Sequence, residues 1–173
     1  MRRLLTALAL PLALLLVAPA APAQAAGVSF TDPAGDGAAG PRLDIIDGVL
    51  RNRDHHIVVD TSYVRVARGD LIVFLQARGT KGGIRVVSLH HPAGQDDNFI
   101  LNRAGERKDC AGLRVTWNAE ADTSRVSLPS LCFRGGDFGA VRTKVLTEIG
   151  ADADLAPNGP RGGFVWTRWA ARG

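Results

Sequence analysis

The stretch Ile57-Val58-Val59-Asp60-Thr61-Ser62-Tyr63-Val64 decides the fold class of this chain. It combines β-branched and aromatic residues with a two-residue alternation, which is typical of a strand buried on one face. The preceding run from Leu43 to Arg51 is also rich in apolar residues, and Asn52-Arg53-Asp54 supplies a turn between the two runs. The two runs therefore predict an antiparallel β-hairpin.

The rest of the chain repeats this pattern of short strands separated by turns that contain Gly or Asp. The continuous apolar run from Leu71 to Ala77 predicts a central strand buried on both faces. Further strands are predicted over residues 27–31, 84–90, 99–101, 113–117, 124–128, 140–149 and 164–169. One helical turn is expected at Pro129–Cys132, and the stretch from Asp152 to Gly163 is expected to be a loop. About nine short strands at these spacings predict an all-β, antiparallel, jelly-roll-like β-sandwich.

The first 25 residues have the pattern of a secretory signal peptide. Arg2 and Arg3 precede an almost wholly apolar run from Leu4 to Ala18, and Ala23-Gln24-Ala25 has the form of a signal peptidase site. The apolar run is shorter than the roughly 20 residues that a membrane anchor needs, although a retained anchor is the alternative. We therefore expect cleavage after Ala25, an extracellular location, no membrane span after cleavage, and one β-sandwich domain over residues 26–173.

The charge of the mature domain argues against a nucleic-acid partner. The whole chain has 21 basic and 17 acidic side chains and a formal net charge of +4. The signal segment holds Arg2 and Arg3 and no acid, so its removal lowers the net charge to +2. Arginine and aspartate are interspersed along the remaining chain, whereas a nucleic-acid binder is expected to show a clustered basic face.

The two cysteines, Cys110 and Cys132, both lie in the mature domain. An even number of cysteines in an oxidising compartment favours a disulfide. Closing a loop of this length would contribute about 3 kcal/mol in the chain-entropy picture. A metal pair or a reactive thiol is the alternative, but a metal site would need further Cys or His at short spacing, and none lies near either cysteine.

Aspartates in two glycine-rich loops are the candidate metal ligands. The members of this group are Asp32, Asp36, Asp44, Asp152 and Asp154. Ca²⁺ takes several carboxylate and carbonyl oxygens on flexible backbone. If the first and last strands are neighbours, Asp32, Asp36 and Asp152 could hold one structural calcium. The spacing matches no EF-hand, and Asp and Gly in loops commonly act only as turn formers. No other cofactor is predicted.

Hydrolytic chemistry has candidate residues but no complete motif. Ser88 and His90 lie two positions apart, so strand alternation places them on one face, and Asp96 and Asp97 follow. The chain has no Gly-x-Ser-x-Gly elbow around Ser88, and a pair of carboxylates such as Asp96 and Asp97 is equally unspecific. A secreted hydrolase with a carboxylate or Ser/His site is therefore the alternative function, and no catalytic residue is assigned.

Aromatic and histidine side chains are the remaining candidates. Five aromatic residues could form a sugar-stacking platform, namely Tyr63, Trp117, Phe164, Trp166 and Trp169. Core packing is the more usual role of tryptophan in a small β-sandwich. Neither His55-His56 nor His90-His91 can chelate one metal by itself, because adjacent residues of a strand point to opposite faces.

Several segments carry a resemblance to known proteins. They are Asp32-Pro33-Ala34-Gly35-Asp36, Leu43-Asp44-Ile45, Val126–Cys132 and Trp169–Gly173. Together with the signal peptide they resemble small secreted actinobacterial proteins of unassigned activity. The opening is also similar to that of β-sandwich modules of the family 9 carbohydrate-binding and DOMON-like type. This similarity implies a jelly-roll-like sandwich. It carries over no ligand residues, because no sugar- or haem-binding motif matches position by position.

The sequence thus predicts a secreted, non-catalytic β-sandwich protein that acts as a binding module. Its expected partner is a carbohydrate such as a cell-wall glycan, or another extracellular protein. A structural envelope protein with no small ligand is a further alternative. A fold-level resemblance does not by itself establish which of these holds.

Overall fold

The computed structural model describes residues 27–90, 95–159 and 163–173. The predicted signal peptide at residues 1–25 lies outside these residues, as does His91. Within the described part, eleven strands and two short 3₁₀ helices are present, and no α-helix. The strands are β1 Val28–Thr31, β2 Ile45–Asn52, β3 His56–Tyr63, β4 Gly69–Ala77, β5 Gly83–His90, β6 Asp97–Leu101, β7 Arg107–Lys108, β8 Arg114–Asn118, β9 Thr123–Pro129, β10 Val141–Ile149 and β11 Asp152–Ala156.

The strands form two antiparallel sheets. The five-stranded sheet has the order β1-β2-β3-β9-β8, and the six-stranded sheet has the order β11-β10-β4-β5-β6-β7. The predicted hairpin is β2 with β3, and the predicted central strand is β4, which lies between β10 and β5. The predicted all-β sandwich is therefore confirmed.

The core lies between the sheets because alternate side chains of each strand point inward. In β10, Val141, Thr143, Val145 and Thr147 are buried, while the residues between them are half-buried on the other face. The facing sheet contributes side chains such as Leu50, Ile57, Val59 and Leu128, all of which are at most 1% exposed. One apolar cluster thus fills the space between the two sheets.

Three local predictions have different outcomes. The predicted strand at residues 164–169 is wrong, because this segment makes only isolated bridges, Asn158 with Phe164 and Val141 with Ala170. The predicted loop from Asp152 is also wrong at its start, because β11 pairs with β10 there. The helical turn after Pro129 is confirmed as a 3₁₀ helix at Ser130–Cys132, and a second one covers Arg134–Gly136.

The disulfide between Cys110 and Cys132 is confirmed, with the two Cα atoms 5.8 Å apart. Cys110 follows β7, at the edge of the six-stranded sheet, and Cys132 follows β9 in the five-stranded sheet. The bond therefore ties the segment that crosses between the sheets to the segment that leaves β9.

Candidate functional site

An ion-pair cluster occupies the outer face of the five-stranded sheet. Asp60 of β3 lies directly opposite Arg125 of β9, and Arg51 of β2 is a diagonal neighbour of Asp60. Cross-strand and diagonal neighbours on one face are close enough for long side chains to meet. Arg125 Nε donates to Asp60 Oδ1 at 2.5 Å, and Arg51 Nη1 donates to the other carboxylate oxygen. The Asp60 carboxylate thus holds the guanidinium groups of Arg51 and Arg125 in place.

Two adjoining concavities share Arg125 and form what we call the polar groove. The first has a volume of about 430 Å³ and is lined by Arg51, Arg53, His56, Val58, Arg125 and Ser127. The second has a volume of about 320 Å³, and its lining includes Asp60, Ser62, Thr116, Asn118, Thr123 and Arg125. One end of the groove is therefore rich in arginine, and the other end is rich in hydroxyl and amide groups.

The arginine end of the polar groove has an excess of positive charge. It holds Arg51, Arg53 and Arg125, against the single carboxylate of Asp60. The hydrogen bond that Arg125 donates to Asp60, followed by the negative charge of Asp60, raises the pKa of Arg125 further above its usual value. Guanidinium groups bind carboxylate and phosphate with paired hydrogen bonds, so this end suits an anionic ligand.

Four carboxylates converge at another place, between β11 and the loop that follows β1. Asp44 accepts hydrogen bonds from the backbone nitrogens of Gly35 and Gly37, at 2.7 and 3.2 Å. Asp154 of β11 accepts from the backbone nitrogen of Ile45 at 2.6 Å. These contacts fold the loop against the end of the sandwich, as expected if the first and last strands lie close together.

Asn158 joins the two other carboxylates of this group. Its backbone nitrogen donates to Asp32 Oδ1 at 2.9 Å, and its side-chain nitrogen donates to Asp36 Oδ2 at 2.9 Å. A Cβ atom at Gly37 would lie 3.0 Å from Asp44 Oδ1 and 3.3 Å from Asp154 Cβ. Glycine at position 37 therefore lets the loop approach the carboxylates closely.

Asp32, Asp36 and Asp154 form the carboxylate cluster, in which one oxygen of each lies within 4.8 Å of the others. Among the described residues, this is the one group of three or more acidic, His or Cys side chains with such spacing. Two of its members, Asp32 and Asp36, are predicted ligands. The third is Asp154, which is buried, while Asp152 lies two residues earlier on β11 and is not part of the cluster.

Burial raises the proton affinity of two members of the carboxylate cluster, Asp32 and Asp154. It raises the pKa of Asp32 to about 7, and the charges of Asp154, Asp36 and Asp44 add to this rise, while the Asn158 amide opposes it. Burial also raises the pKa of Asp154, against the hydrogen bonds from Ile45 and Leu155. A buried carboxylate favours either a proton or a bound cation because its charge is poorly solvated.

Three of the five predicted platform aromatics lie together on the outer face of the six-stranded sheet. Lys144 Nζ lies 4.0 Å from the Phe164 ring centre and 5.0 Å from that of Trp166. The Arg142 guanidinium lies 4.9 Å from the Trp166 ring and 4.5 Å from the Trp169 ring. We call this alternation of rings and cations the cation–aromatic ladder. Because cations already lie over these rings, the ladder anchors the carboxyl-terminal segment rather than offering bare rings to a sugar.

Tyr63 and Trp117, the other two aromatics, lie away from the ladder. Their rings stack at 6.0 Å, and the Trp117 ring also stacks on His90 at 4.9 Å. Trp117 Nε1 donates to Ser88 Oγ at 3.3 Å, and Ser88 is only 1% exposed. The tryptophan therefore closes one end of the core over the serine.

The candidate hydrolase residues do not assemble a serine nucleophile. His90 Nδ1 lies 2.7 Å from Asp96 Oδ1, which is the contact that a catalytic dyad would need. Ser88 is nevertheless buried under Trp117, and Asp97 is held in two hydrogen bonds by Arg107. An attacking hydroxyl has to reach a substrate carbonyl, so Ser88 is unsuited to that role.

The sequence patterns did not predict the polar groove. Asp60 and Arg125 lie on two predicted strands, but their pairing depends on β3 lying beside β9, and the two residues are 65 positions apart in the chain. Of the predicted histidines, His56 lines the groove and His90 contacts Asp96. The groove depends on the register between β3 and β9, which local sequence patterns do not contain.

Known protein families offer no match to this chain. No family model matches it, and no curated protein matches it. Among the described residues, no helix has the length and apolar character that a bilayer crossing requires. The functional assignment therefore depends on the geometry of the polar groove and the carboxylate cluster.

Proposed function

We propose that this protein is a secreted, non-catalytic β-sandwich module that binds an anionic cell-wall glycan in the polar groove. The observation that carries this proposal is the fixing of Arg51 and Arg125 by Asp60 on a concave sheet face. A binding group that is already held in place loses less conformational freedom on association. The predicted signal peptide supports an extracellular location.

The chemistry of the groove favours a charged glycan over a flat neutral polysaccharide. Its described lining residues offer guanidinium, imidazole, hydroxyl, amide and carboxylate groups but no Phe, Tyr or Trp side chain. Guanidinium groups pair with phosphate or carboxylate, and Asn118, Thr116 and Thr123 can exchange hydrogen bonds with sugar hydroxyls. A polymer with alternating sugar and anionic groups satisfies both ends of the groove.

Co-sedimentation with cell-wall fragments tests this proposal. We expect the secreted protein to bind fragments that carry anionic polymers, and to bind weakly after those polymers are removed. Arg125→Gln removes a charge-assisted hydrogen bond and should weaken binding about tenfold. Arg168→Gln, at an exposed arginine outside the groove, is the matched control and should bind as the unmodified protein does.

Asp60→Asn distinguishes specific binding in the polar groove from non-specific electrostatic attraction. This change makes the protein more positive, so non-specific attraction predicts tighter binding. The proposed groove predicts weaker binding, because Arg51 and Arg125 lose the group that orients them. Tighter binding by Asp60→Asn, or equal loss with Arg168→Gln, would contradict the proposal.

We also propose that Asp32, Asp36 and Asp154 hold a structural calcium ion. Oxygens within 4.8 Å of one another suit Ca²⁺, whose ligands lie about 2.3–2.6 Å from the ion. A bound cation would also offset the charge repulsion within the cluster.

Thermal unfolding with added calcium or with a chelator tests the calcium proposal. We expect calcium to raise the melting temperature because it binds the folded state alone. Asp36→Asn should remove most of this rise, whereas Asp109→Asn, at an exposed aspartate, should keep it. An equal melting temperature with calcium and with chelator would exclude a calcium ion that stabilises the fold.

A further inference from the structure

A second concavity, with a volume of about 430 Å³, lies at one end of the sandwich. The β4–β5 turn, the β6–β7 turn and the segment that follows Cys132 come together there, and they contribute Lys81, Arg103 and Arg134 respectively. We call this concavity the cationic pocket. It shares no described lining residue with the polar groove.

The positive charges of the cationic pocket are not balanced by the protein. None of the described residues that line the pocket is acidic. In the described part of the chain, no ion pair includes Lys81, Arg103 or Arg134. The polar groove differs, because Asp60 pairs with two of its arginines. Like charges that line one concavity repel one another, and a bound anion would offset this repulsion.

Side-chain hydrogen bonds hold the β4–β5 turn, which carries Lys81. Thr80 Oγ1 lies 2.7 Å from the backbone oxygen of Ala77 and 2.8 Å from that of Gly82, so the hydroxyl can donate to either. Gln76 Nε2 donates to the backbone oxygen of Thr80 at 2.7 Å. The backbone on either side of Lys81 is therefore fixed before a ligand binds.

Arg103 is placed by its own turn and by a glycine of the neighbouring turn. Asn102 Nδ2 donates to Glu106 Oε2 at 2.8 Å, and the backbone nitrogen of Glu106 donates to Asn102 Oδ1 at 2.9 Å. A Cβ atom at Gly82 would lie 2.5 Å from Arg103 Cδ and 3.1 Å from Arg103 Nε. The arginine side chain therefore lies across Gly82, in space that any other residue would occupy.

Arg134 has a backbone conformation that is unusual for a residue with a side chain. Its φ angle is 56°, in the left-handed region where Cβ meets steric resistance. Arg134 Nε donates to the backbone oxygen of Asp137 at 3.3 Å, which orients the side chain without pairing it with a charge. The disulfide to Cys110 holds the neighbouring Cys132. Strained residues often mark functional sites, and here the strained residue is one of the three cations.

The lining of the cationic pocket also has an apolar part, formed by Ile84 and Phe133. Ile84 is half-buried and packs against the core, and Phe133 belongs to the core and is 2% exposed. The Phe133 ring packs on that of Phe138, with 5.1 Å between ring centres. Apolar surface thus lies beside the cations, as in small-molecule sites that combine apolar walls with a few polar groups.

We propose that the cationic pocket binds a compact organic dianion. Its charged groups lie among Lys81, Arg103 and Arg134, and its apolar body lies against Ile84. Guanidinium groups form paired hydrogen bonds with phosphate or carboxylate, and lysine adds a compact charge. A phosphate monoester and a dicarboxylate both have this chemistry. The proposal goes beyond glycan binding, because no residue of the polar groove takes part.

Nuclear magnetic resonance titrations with four probes test this proposal. The probes are phenyl phosphate, phthalate, inorganic phosphate and benzyl alcohol, at about pH 8, where a phosphate monoester is a dianion. We expect phenyl phosphate or phthalate to shift the amides of Lys81, Gly82, Ile84 and Arg103. The tighter of the two shows whether the pocket prefers phosphate or dicarboxylate. Inorganic phosphate, which lacks an apolar body, should bind at least about threefold more weakly than the tighter probe, and benzyl alcohol should not bind.

Two variants separate a specific pocket from general attraction to a positive surface. Arg103→Gln should weaken binding of the tighter probe about tenfold, because a charge-assisted hydrogen bond is lost, whereas Arg168→Gln removes an exposed charge elsewhere and should not. Gly82→Ala keeps every charge but pushes Arg103 aside, so it should weaken binding at least about threefold. Gly139→Ala is its control, since a Cβ atom there meets nothing within 4 Å.

Four results would overturn the proposal. They are the absence of shifts around the cationic pocket with every probe, equal losses in Arg103→Gln and Arg168→Gln, unchanged binding in Gly82→Ala, and inorganic phosphate that binds as tightly as either organic dianion. Arg125→Gln should leave the shifts around the pocket unchanged while it weakens binding to cell-wall fragments. Failure of the pocket and failure of the groove are therefore distinguishable.

Discussion

Asp32 couples the stability of the fold to pH. Burial raises its pKa from 3.8 to about 7. Between these two values the folded protein holds a proton that the unfolded chain has lost. The unfolded state binds fewer protons in this range, so the free energy of unfolding falls as the pH rises. In the absence of calcium, the protein should therefore be more stable near pH 5 than near pH 8.

Urea unfolding in the presence of a chelator, at about pH 5 and about pH 8, measures this effect. Asp32→Asn should reduce the difference between the two stabilities, because the amide does not titrate. Asp109→Asn should retain the full difference, since Asp109 is exposed. Saturating calcium should also reduce the difference by stabilising the ionised carboxylates. A pH dependence that is the same in Asp32→Asn and Asp109→Asn would show that another group titrates.

Some of the carboxylate cluster could be predicted from sequence, and some could not. Asp32 and Asp36 stand in a loop of Gly and Pro, and that local composition is enough to mark them as candidate ligands. Whether Asp152 or Asp154 joins the cluster depends on where β11 begins. The sequence predicts a loop through both residues, so it does not distinguish between them. Pairing of β11 with β10 buries Asp154.

At the scale of elements, the cation–aromatic ladder holds the carboxyl-terminal segment against β10. This segment has few regular strand contacts, and its hydrogen bonds include Thr167 nitrogen to Thr143 oxygen at 2.9 Å. Rings of Phe164, Trp166 and Trp169 alternate with Lys144 and Arg142. The ladder therefore supplies contacts that the missing strand pairs do not.

Trp166→Ala should cost about 2 kcal/mol, because it removes a half-buried ring and its two cation contacts. Denaturant unfolding gives the stability, and amide exchange at Thr167 reports whether the segment detaches locally. Val165→Ala is the control and should cost less than about 1 kcal/mol, since Val165 is 39% exposed. Equal losses in the two variants would mean that the ladder does not anchor the segment.

The sequence predicts strands correctly where buried and outward-facing residues alternate clearly, as in β10. The segment of β10 alternates buried and half-buried residues as its sequence pattern indicates. The segment from Phe164 to Trp169 has the composition of a strand but makes only isolated bridges, since β11 already takes the neighbouring part of β10. Competition between segments for one sheet edge is a tertiary effect that local pattern does not contain.

At the scale of the whole molecule, the sandwich presents two outer faces of different character. Both depend on pairs far apart in sequence, such as Asp60 with Arg125 and Ile72 with Leu146. The fold class followed from the spacing of strands and turns, but the register across the sheets did not. The polar groove and the cation–aromatic ladder are therefore apparent only in three dimensions.

The most direct test of the central claim is a nuclear magnetic resonance titration of the protein with an anionic cell-wall oligosaccharide. We predict that amide shifts concentrate on β3, β8 and β9, around Asp60, Thr116 and Arg125, while β4 and β10 stay unchanged. Shifts confined to the six-stranded sheet, or no shift in the groove at saturating oligosaccharide, would contradict the proposed function.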